Sequence, residues 1–223
     1  MKIQNIHGLL KVNGLKQFIN IPGIEYANAK LLNRPDGYYI AITTYIPKVS
    51  VKSHITRKGV IGIDFGCSTT VTLSNGEKFN VSVQETERLK RLQRKLNRQA
   101  KGSKQRYKTR CKIQKEYQHL SNIKNNKANK LATYISSYET VVMQNEQISQ
   151  WQKNGHGKTV QHSILGRLSA RLKNKPNVHV ISKWCPTTKL CSCCGATVDM
   201  TLSDRTFKCS NCGCTQDRDV HAA

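Results

Sequence analysis

The pattern of apolar and polar positions predicts strands in the first part of the chain and long helices further on. Within residues 1–50, β-branched and aromatic runs predict strands at Ile3–Leu10, Phe18–Ile21 and Tyr38–Tyr45. Turn residues separate these runs, at Asn13-Gly14, Pro22-Gly23 and Pro35-Asp36-Gly37. We expect this segment to form part of a small β-barrel or sheet. Its predicted role is packing, because it carries no catalytic constellation of its own.

An apolar strand with one acidic residue near its end is predicted next. Val60–Phe65 is apolar apart from Asp64, and after Gly66 the pattern predicts a hairpin with Asn75-Gly76 at its tip. A carboxylate within an apolar strand is costly to bury unless it is paired or binds a metal ion. Asp64 is therefore a candidate metal ligand. The alternative is that it caps a local turn.

The middle of the chain is predicted to be helical and is strongly basic. Within Gln84–Lys130 apolar residues recur three or four positions apart, and Gly102-Ser103 predicts a break between two helices. Acidic residues are nearly absent between Arg88 and Lys115, so charge pairing within the helices does not explain the basic residues. A basic helix face is usually only solvated, but here we favour a contact with a nucleic-acid backbone. The candidate binding residues are Arg91, Arg94, Lys95, Arg98, Lys101, Lys104, Arg106 and Lys108.

The order of the elements predicts a fold. Thr140–Glu146 predicts a strand, His162–Lys173 an amphipathic helix and Val178–Ile181 another strand, before a cysteine-rich segment and the start of a last helix. This order is that of an α/β protein with the ribonuclease-H-like fold, a mixed sheet flanked by helices. In that fold, carboxylates from the first strand, the fourth strand and the final helix converge on two divalent ions. Such ions activate a water molecule and stabilise the leaving oxygen at a phosphodiester.

Net charge indicates the kind of partner. The 223 residues include 37 Lys and Arg against 13 Asp and Glu, a formal net charge of +24. Such a surface attracts polyanions, so DNA or RNA is the expected partner. The same net charge would be found in a ribosomal-type protein or in a protein that only binds polyanions nonspecifically. The sequence shows no signal pattern and no apolar run long enough to cross a bilayer, so no membrane role is expected and a cytosolic location is predicted.

Two cysteine pairs near the carboxyl terminus have the spacing of a zinc site. Cys191 with Cys194, and Cys209 with Cys212, each form a C-x-x-C-G sequence. Two such turns supply four thiolates at the corners of a tetrahedron, which suits Zn²⁺ better than the alternatives of disulfides or inert core thiols. A thiolate site and an odd total of nine cysteines indicate a reducing compartment. The remaining cysteines are expected to be free thiols; these are Cys67, Cys111, Cys185, Cys193 and Cys214.

Several ordered motifs give the chain a family resemblance. IGIDFG, PTTKLCSCCG, DRTFKCSNCG and DRDVHAA, which begin at Ile61, Pro186, Asp204 and Asp217, resemble the TnpB (OrfB) proteins of insertion sequences. The segment IEYANAKLLNRPDGYY is similar to the end of the wedge domain of that family. The resemblance implies an RNA-guided DNA endonuclease with a RuvC-type, Mg²⁺-dependent site interrupted by a zinc ribbon. Its implied partners are a guide RNA from the transposon end and a target DNA, so that it would act in the prokaryotic cytosol at the nucleoid.

The resemblance also implies the positions of three carboxylate ligands. Asp64 matches the first, and Asp219 matches the third, with Asp217 as a weaker candidate. Where most relatives have the second, a Glu, this chain has Gln144, and a neutral amide cannot replace a carboxylate that balances metal charge. Side chains two residues apart on a strand share a face at about 7 Å. We therefore predict that Glu146 is the second ligand, so that Asp64, Glu146 and Asp219 bind two Mg²⁺ ions.

The resemblance divides the chain into domains. Residues 1–55 correspond to a partial wedge segment, 56–184 to a RuvC-like core with basic helices at 83–131, 185–215 to the zinc ribbon, and 216–223 to the start of the last RuvC helix. The chain lacks the earlier wedge residues and stops four residues after Asp219. A second protomer or a separate amino-terminal half is therefore an expected partner. Two alternatives to the nuclease are an inactive RNA-guided DNA-binding protein, such as a repressor, and a non-functional transposon remnant.

Overall fold

A computed structural model describes residues 21–47, 55–201 and 203–223. The chain divides into two compact units, Met1–Ser53 and His54–Ala223. The strand predicted at Ile3–Leu10, and all of the strand predicted at Phe18–Ile21 except its last residue, lie outside the described residues, so these predictions stay untested.

The described part of the first unit is a β-hairpin. Strands β1 (Glu25–Arg34) and β2 (Gly37–Tyr45) pair antiparallel across the predicted turn at Pro35-Asp36. The strand predicted at Tyr38–Tyr45 is confirmed. The sequence analysis missed β1, because its largely exposed residues include Glu, Asn and Lys and do not alternate with apolar ones. Within the described residues this unit forms only a two-stranded sheet, so the β-barrel stays a prediction.

The second unit is built around a five-stranded mixed sheet with the order β5-β4-β3-β6-β7. Its strands are β3 (Arg57–Phe65), β4 (Val71–Leu73), β5 (Lys78–Phe79), β6 (Tyr138–Gln144) and β7 (Val178–Ile181). The first three form an antiparallel meander, whereas β3, β6 and β7 run parallel. The predicted α/β class with a mixed sheet is confirmed, as are the hairpin at Asn75-Gly76 and the strand Val178–Ile181. The strand predicted to reach Glu146 ends at Gln144.

Helices cover the sheet and fill the connection between β6 and β7. They are α1 (Glu87–Asn97), α2 (Lys104–Ile135), α3 (Ile148–Trp151), α4 (Gly157–His162), α5 (Leu165–Lys173) and α6 (Arg218–Ala222), with a π-helical turn at Gln152–His156 between α3 and α4. The predicted break at Gly102-Ser103 is confirmed, because Ser103 caps α2 by accepting a hydrogen bond from the Arg106 amide. No described helix has the length and apolar character needed to cross a bilayer.

The helix predicted over His162–Lys173 is confirmed from Leu165 onward, whereas His162 is the last residue of the preceding helix α4. Ser163 ends α4: its hydroxyl donates to the Val160 carbonyl at 2.8 Å and accepts from the Leu165 amide at 3.3 Å. A side chain that satisfies the backbone groups of both helix ends replaces continuous helical hydrogen bonds. The apolar spacing thus predicted the helix but not its first residue, because the start is set by the hydrogen bonds of Ser163.

The alternation of side chains along β3 decides which residues enter the core. Ile61, Ile63 and Phe65 are buried in the main hydrophobic cluster, which also contains residues of α2, α5 and β6. Because successive strand residues point to opposite faces, Gly62 and Asp64 lie on the other face. Asp64 therefore faces away from the apolar core.

The last helix packs directly on this second face of β3. A Cβ atom added to Gly62 would lie 1.6 Å from the Ala223 carbonyl oxygen, closer than any real contact. The Gly62 amide also donates to the Ser74 hydroxyl at 3.0 Å. The absence of a side chain at Gly62 is thus what allows the end of the chain to approach the sheet.

We expect Gly62→Ala to lower the free energy of unfolding by about 1–3 kcal/mol, because the methyl group forces α6 away from β3. The matched control is Gly166→Ala in α5, where nothing lies within 4 Å of the added Cβ. That change should raise stability by about 0.5–1 kcal/mol through helix propensity. Urea unfolding of both variants measures the difference, and equal stabilities would contradict the close approach seen here.

Candidate active site and cysteine centre

Asp64 and Asp219 line one cavity at the carboxyl edge of the sheet. The cavity has a volume of about 580 Å³, and its walls also include Gln144, Trp184 and Arg218. β3 and β6 are parallel, so their carboxyl ends lie side by side and bring Asp64 next to Gln144. The loop after β7 and helix α6 close the remaining sides. Two residues distant in sequence, Asp64 and Asp219, are thereby brought into one site.

Asp64 is held in an environment that disfavours its charge. Burial, followed by the negative charges of Asp219 and Glu146, raises the pKa of Asp64 to about 7. Arg218 opposes this shift without cancelling it. A half-buried carboxylate with two acidic neighbours favours either a proton or a cation. The site is therefore electrostatically suited to a metal ion.

Asp217 and Asp219 have different roles, although only one residue separates them. The Asp217 carboxylate accepts from Lys78 Nζ at 2.8 and 2.9 Å and from the amides of Asp219 and Val220. These hydrogen bonds, that of Lys78 first, lower the pKa of Asp217. Asp217 thus caps α6 and binds β5, whereas Asp219 faces the cavity with Arg218 3.3 Å away. The geometry favours Asp219 over Asp217 as the site residue.

Glu146 lies just beyond the end of β6. Its amide donates to the Gln144 carbonyl at 2.9 Å, which makes a tight turn rather than continued strand. The argument from strand alternation therefore does not apply to Glu146. Burial raises the pKa of Glu146. The negative charge of Glu146 is close enough to Asp64 to contribute to the raised pKa of Asp64. Glu146 stays a predicted ligand, supported by proximity rather than by strand geometry.

The three predicted carboxylates do not form a closed cluster. Among the described residues, groups of at least three potential ligands within 4.8 Å of one another consist only of cysteines. The carboxylate oxygens of Asp64, Glu146 and Asp219 are therefore not all within 4.8 Å of one another, and only Asp64 and Asp219 line the cavity. Carboxylate oxygens are the donors that Mg²⁺ prefers, and Mg²⁺ commonly keeps several waters in its coordination shell. The donor set thus fits a hydrated Mg²⁺ ion.

Gln144 lines the cavity, and its side-chain amide is hydrogen-bonded to the backbone. Its Nε2 atom donates to the carbonyls of Cys185, Lys183 and Ser182 at 2.7, 3.2 and 3.4 Å. A carboxylate has no hydrogen to donate, and its charge would repel these carbonyl oxygens. The surroundings of position 144 are therefore built for an amide.

Four cysteine sulfurs meet at the predicted zinc centre. The Sγ atoms of Cys191, Cys194, Cys209 and Cys212 all lie within 4.8 Å of one another, with distances of 3.6 Å for Cys191–Cys212 and Cys194–Cys209. Sulfurs bound tetrahedrally to zinc at about 2.3 Å lie about 3.8 Å apart. The arrangement is therefore compatible with Zn²⁺.

The two halves of the cysteine centre share one backbone pattern. Gly195 donates to the Cys191 carbonyl at 2.9 Å, and Gly213 donates to the Cys209 carbonyl at 3.0 Å. Both glycines have positive φ, 72° and 74°, which explains their place after each C-x-x-C. The short strands β8 (Thr206–Lys208) and β9 (Thr215–Asp217) flank the second turn.

Cys193 and Cys214 are close together beside this centre. They were predicted as free thiols, and all nine cysteines are free, but the Sγ atoms of Cys193 and Cys214 are 2.9 Å apart. With Cys191 they form a second group of three sulfurs within 4.8 Å. The sequence spacing gave no signal for this pair, because it joins the two turns.

His221 is a structural residue that the sequence analysis did not identify. Its ring stacks on Phe207 at 3.6 Å, with 12° between the planes. Its Nε2 atom donates to the Leu190 carbonyl at 2.9 Å, since a carbonyl can only accept. Both partners belong to the cysteine-rich segment, so His221 attaches α6 to that segment.

The predicted nucleic-acid-binding residues lie on a helical hairpin. Helices α1 and α2 pack through Leu89, Ile113 and Leu120. Among the eight candidates, Arg106 is committed to structure, because its guanidinium donates to the carbonyls of Leu96 and Gln99 at the end of α1. The other candidates have exposed side chains, and within the described part of the chain none of them forms an ion pair; they are Arg91, Arg94, Lys95, Arg98, Lys101, Lys104 and Lys108.

Fold and site together define an α/β protein with an acidic cavity at the carboxyl edge of a mixed sheet and a separate four-cysteine centre. Residues 47–149 match the family model OrfB_IS605, described as probable transposase, and residues 167–223 match the model of the Cas12f1-like TNB domain. The chain belongs to the TnpB (OrfB) family of insertion-sequence transposon proteins.

Two relatives carry names that describe an activity. A protein of Streptomyces pristinaespiralis named RNA-guided DNA endonuclease is 33% identical over 174 residues, which are 73% of this chain and 43% of that protein. The RNA-guided DNA endonuclease InsQ of Escherichia coli (strain K12) is 28% identical over 215 residues, 83% of this chain and 52% of InsQ. The chain thus spans about half the length of these relatives.

One solved structure aligns with most of this chain. The cryo-EM structure of the Cas12f1–sgRNA–target DNA complex aligns with 84% of this chain and 41% of its own, at 16% identity and a TM-score of 0.46.

We expect the purified chain to contain one zinc ion, because four thiolates at tetrahedral spacing bind Zn²⁺ in preference to Mg²⁺. Cys209→Ser should lose that zinc and lower the melting temperature, since metal binding contributes to folding. Cys111→Ser in α2 is the matched control and should keep its zinc. Elemental analysis gives the stoichiometry, and folded wild-type protein without zinc would contradict the assignment.

The raised pKa of Asp64 predicts a pH-dependent stability. The folded state holds the Asp64 proton up to a pH of about 7, whereas the unfolded chain releases it near its ordinary value of 3.8. The folded state therefore binds more protons across that interval, and stability falls as pH rises through it. Without divalent ions, Asp64→Asn should be more stable than wild type at pH 8, by on the order of 2–4 kcal/mol, and the difference should disappear near pH 4.

Adding Mg²⁺ at pH 8 should stabilise the wild type and not Asp64→Asn, because the substitution removes a carboxylate that would bind the ion. Denaturant unfolding with and without Mg²⁺ measures both effects. Identical pH profiles for the two proteins, with no response to Mg²⁺, would remove Asp64 from the metal site.

Proposed function

We propose that this chain is the nuclease core and zinc-binding part of an RNA-guided DNA endonuclease, cutting phosphodiester bonds at a Mg²⁺-dependent RuvC-type site. The observation that carries the proposal is the cavity in which Asp64 of the central strand and Asp219 of the last helix face each other. The strand order, with an antiparallel meander followed by two parallel strands, supports a ribonuclease-H-like core. The names of the relatives support the same activity.

Asp64, Asp219 and Glu146 would hold the metal through their carboxylate oxygens. When bound, Mg²⁺ supplies charge stabilisation at the phosphate and lowers the pKa of a coordinated water. Asp64 must be ionised to bind a cation, and a cation would lower its raised pKa. Arg218, 3.3 Å from Asp219, orients that carboxylate and adds positive charge beside the expected position of the phosphate. Lys183 and Lys189 at the cavity wall supply further attraction for a nucleic-acid backbone.

The remaining parts of the chain fit the other tasks of such a protein. We assign the exposed basic residues of α1 and α2 to backbone contacts with guide RNA or target DNA. Phosphate contacts of this kind position a nucleic acid without reading its sequence. We assign residues 1–55 to a wedge segment and 185–215 to a zinc ribbon. A DNA target implies action at the nucleoid.

A second candidate function is RNA-guided DNA binding without cleavage. The observation in its favour is Gln144, whose amide is committed to three carbonyl oxygens where the family pattern has a Glu. If Glu146 does not take the place of that Glu, the site has only two carboxylates. Binding would then persist, and cutting would not.

A plasmid-cleavage assay tests the proposal. The chain is co-expressed with its native flanking DNA, so that any guide RNA is made, and tested with Mg²⁺ beside Asp64→Ala. Cutting that disappears in Asp64→Ala supports a nuclease. Absence of cutting by folded, zinc-loaded wild type, with RNA recovered in the complex, favours the binding protein.

Glu146→Gln separates the two functions. We expect it to reduce cutting by at least about 100-fold while leaving DNA binding within about 2-fold, because it removes a metal ligand and not a phosphate contact. Glu139→Gln on β6 is the matched control, since Glu139 accepts a hydrogen bond from the Gly59 amide and does not line the cavity. Unchanged cutting in Glu146→Gln would exclude Glu146 as a ligand.

A further inference from the structure

The rim of the acidic cavity carries an exposed tryptophan. The Trp184 side chain is 80% exposed although it lines the same cavity as Asp64 and Asp219. Exposed tryptophan is uncommon, because its ring is the largest apolar surface that a side chain can leave in water. Lys183 Nζ lies over the ring, and any further partner of the ring must be compatible with these surroundings.

Basic side chains lie at the rim of this acidic cavity, although Lys189 is 3.6 Å from Asp199 and Arg218 is 3.3 Å from Asp219. Lys183 Nζ lies 4.5 Å from the centre of the Trp184 ring, and Lys189 and Arg218 line the same cavity. An ammonium group on the ring and cations nearby favour an anionic partner with a flat apolar surface. A nucleotide strand provides both, because its phosphates are negative and every base has a π-face.

The backbone on both sides of Trp184 is fixed by Gln144. The amide of Gln144 donates to the carbonyl of the residue before the tryptophan, Lys183, and to that of the residue after it, Cys185. The Trp184 amide itself donates to the Ser182 hydroxyl at 3.3 Å. These bonds hold the segment in one conformation while its aromatic ring stays in solvent.

We propose that Trp184 is a stacking platform for an unpaired nucleobase of a single-stranded substrate beside the cavity, and that Gln144 is the residue that positions it. This inference rests on the proposed function and deepens it, because it specifies single-stranded nucleic acid as what the cavity receives. A base inside a duplex stacks on its neighbours and cannot present its face to the ring. The amide at position 144 then has a purpose of its own, which a carboxylate at the same place would not serve.

Fluorescence of the tryptophan itself tests the proposal. The chain has two tryptophans, and Trp151→Phe leaves Trp184 as the reporter. The probes are oligo(dT), an abasic strand with the same number of phosphates, and a DNA duplex of equal length, all without added divalent ions so that nothing is cut. Stacking on the ring should quench the fluorescence with oligo(dT), and the abasic strand and the duplex should give less than about a third of that quenching.

Substitution of Trp184 measures the contribution of the ring to binding. Trp184→Ala should weaken oligo(dT) binding by about 5- to 100-fold and leave binding of the abasic strand unchanged. Trp184→Phe should recover much of the loss, because it retains an aromatic face. The salt dependence of binding should be the same in all three proteins, since the phosphate contacts are intact. Oligo(dT) binding by Trp184→Ala as tight as that of wild type would overturn the proposal.

The role of Gln144 needs a readout that depends on the ring. Gln144→Met keeps the length of the side chain and removes its donors, and in the Trp151→Phe background it should lower both the anisotropy of Trp184 and its quenching by oligo(dT). Gln147→Met is the matched control, because Gln147 is three residues after Gln144 and its side chain is exposed. Anisotropy and quenching unchanged in Gln144→Met would overturn its positioning role.

These outcomes are separate from those of the nuclease test. If wild type binds and is quenched but does not cut in the plasmid assay, the stacking platform is supported and the nuclease proposal fails. If wild type cuts and Trp184→Ala cuts at the same rate with equal binding, the platform is wrong and the nuclease proposal is untouched.

Discussion

The position of the last helix is the constraint on which the site depends. Helix α6 lies against β3 on one side, where only a glycine at position 62 leaves room, and against the cysteine-rich segment on the other, where His221 stacks on Phe207. Asp219 is on this helix. The cavity therefore exists only while the sheet and the cysteine centre both hold α6, so a zinc ion bound far from the carboxylates would still contribute to their geometry.

The second feature is the unfavourable environment of the Asp64 carboxylate at the carboxyl edge of the sheet. Burial is the main cause of the raised pKa of Asp64, and the negative charges of Asp219 and Glu146 add to it. A fold stabilised only by its core would not retain such a group. Functional sites commonly keep carboxylates of this kind because a bound cation offsets the repulsion. The basic residues Lys183, Lys189 and Arg218 line the same cavity, and in the function proposed here they would attract an anionic strand.

Gln144 shows how one residue can be read in two ways. Compared with the family pattern, it is a missing carboxylate and argues against cleavage. In the structure it is a donor to three carbonyl oxygens of the segment that leads into the cysteine-rich region. That segment carries Trp184, so the amide connects the strand next to Asp64 with the rim of the cavity. Position 144 thus lacks the carboxylate of the family pattern and instead supplies hydrogen bonds that fix this segment.

Most elements of the second unit, and the four clustered cysteines, could be predicted from local patterns in the sequence. Periodicity predicted β3, the hairpin after it, the two basic helices and β7, and cysteine spacing predicted the four thiols that the structure brings together, because these signals are local. It could not predict the partners of Arg106, the turn at Glu146, the separate roles of Asp217 and Asp219, or the proximity of Cys193 to Cys214. Each of these depends on groups far apart in sequence, or on a hydrogen bond at the end of an element. Tertiary packing places α6 on the face of β3 that carries Gly62 and Asp64. This packing, which no local pattern encodes, brings Asp64 and Asp219 into one cavity.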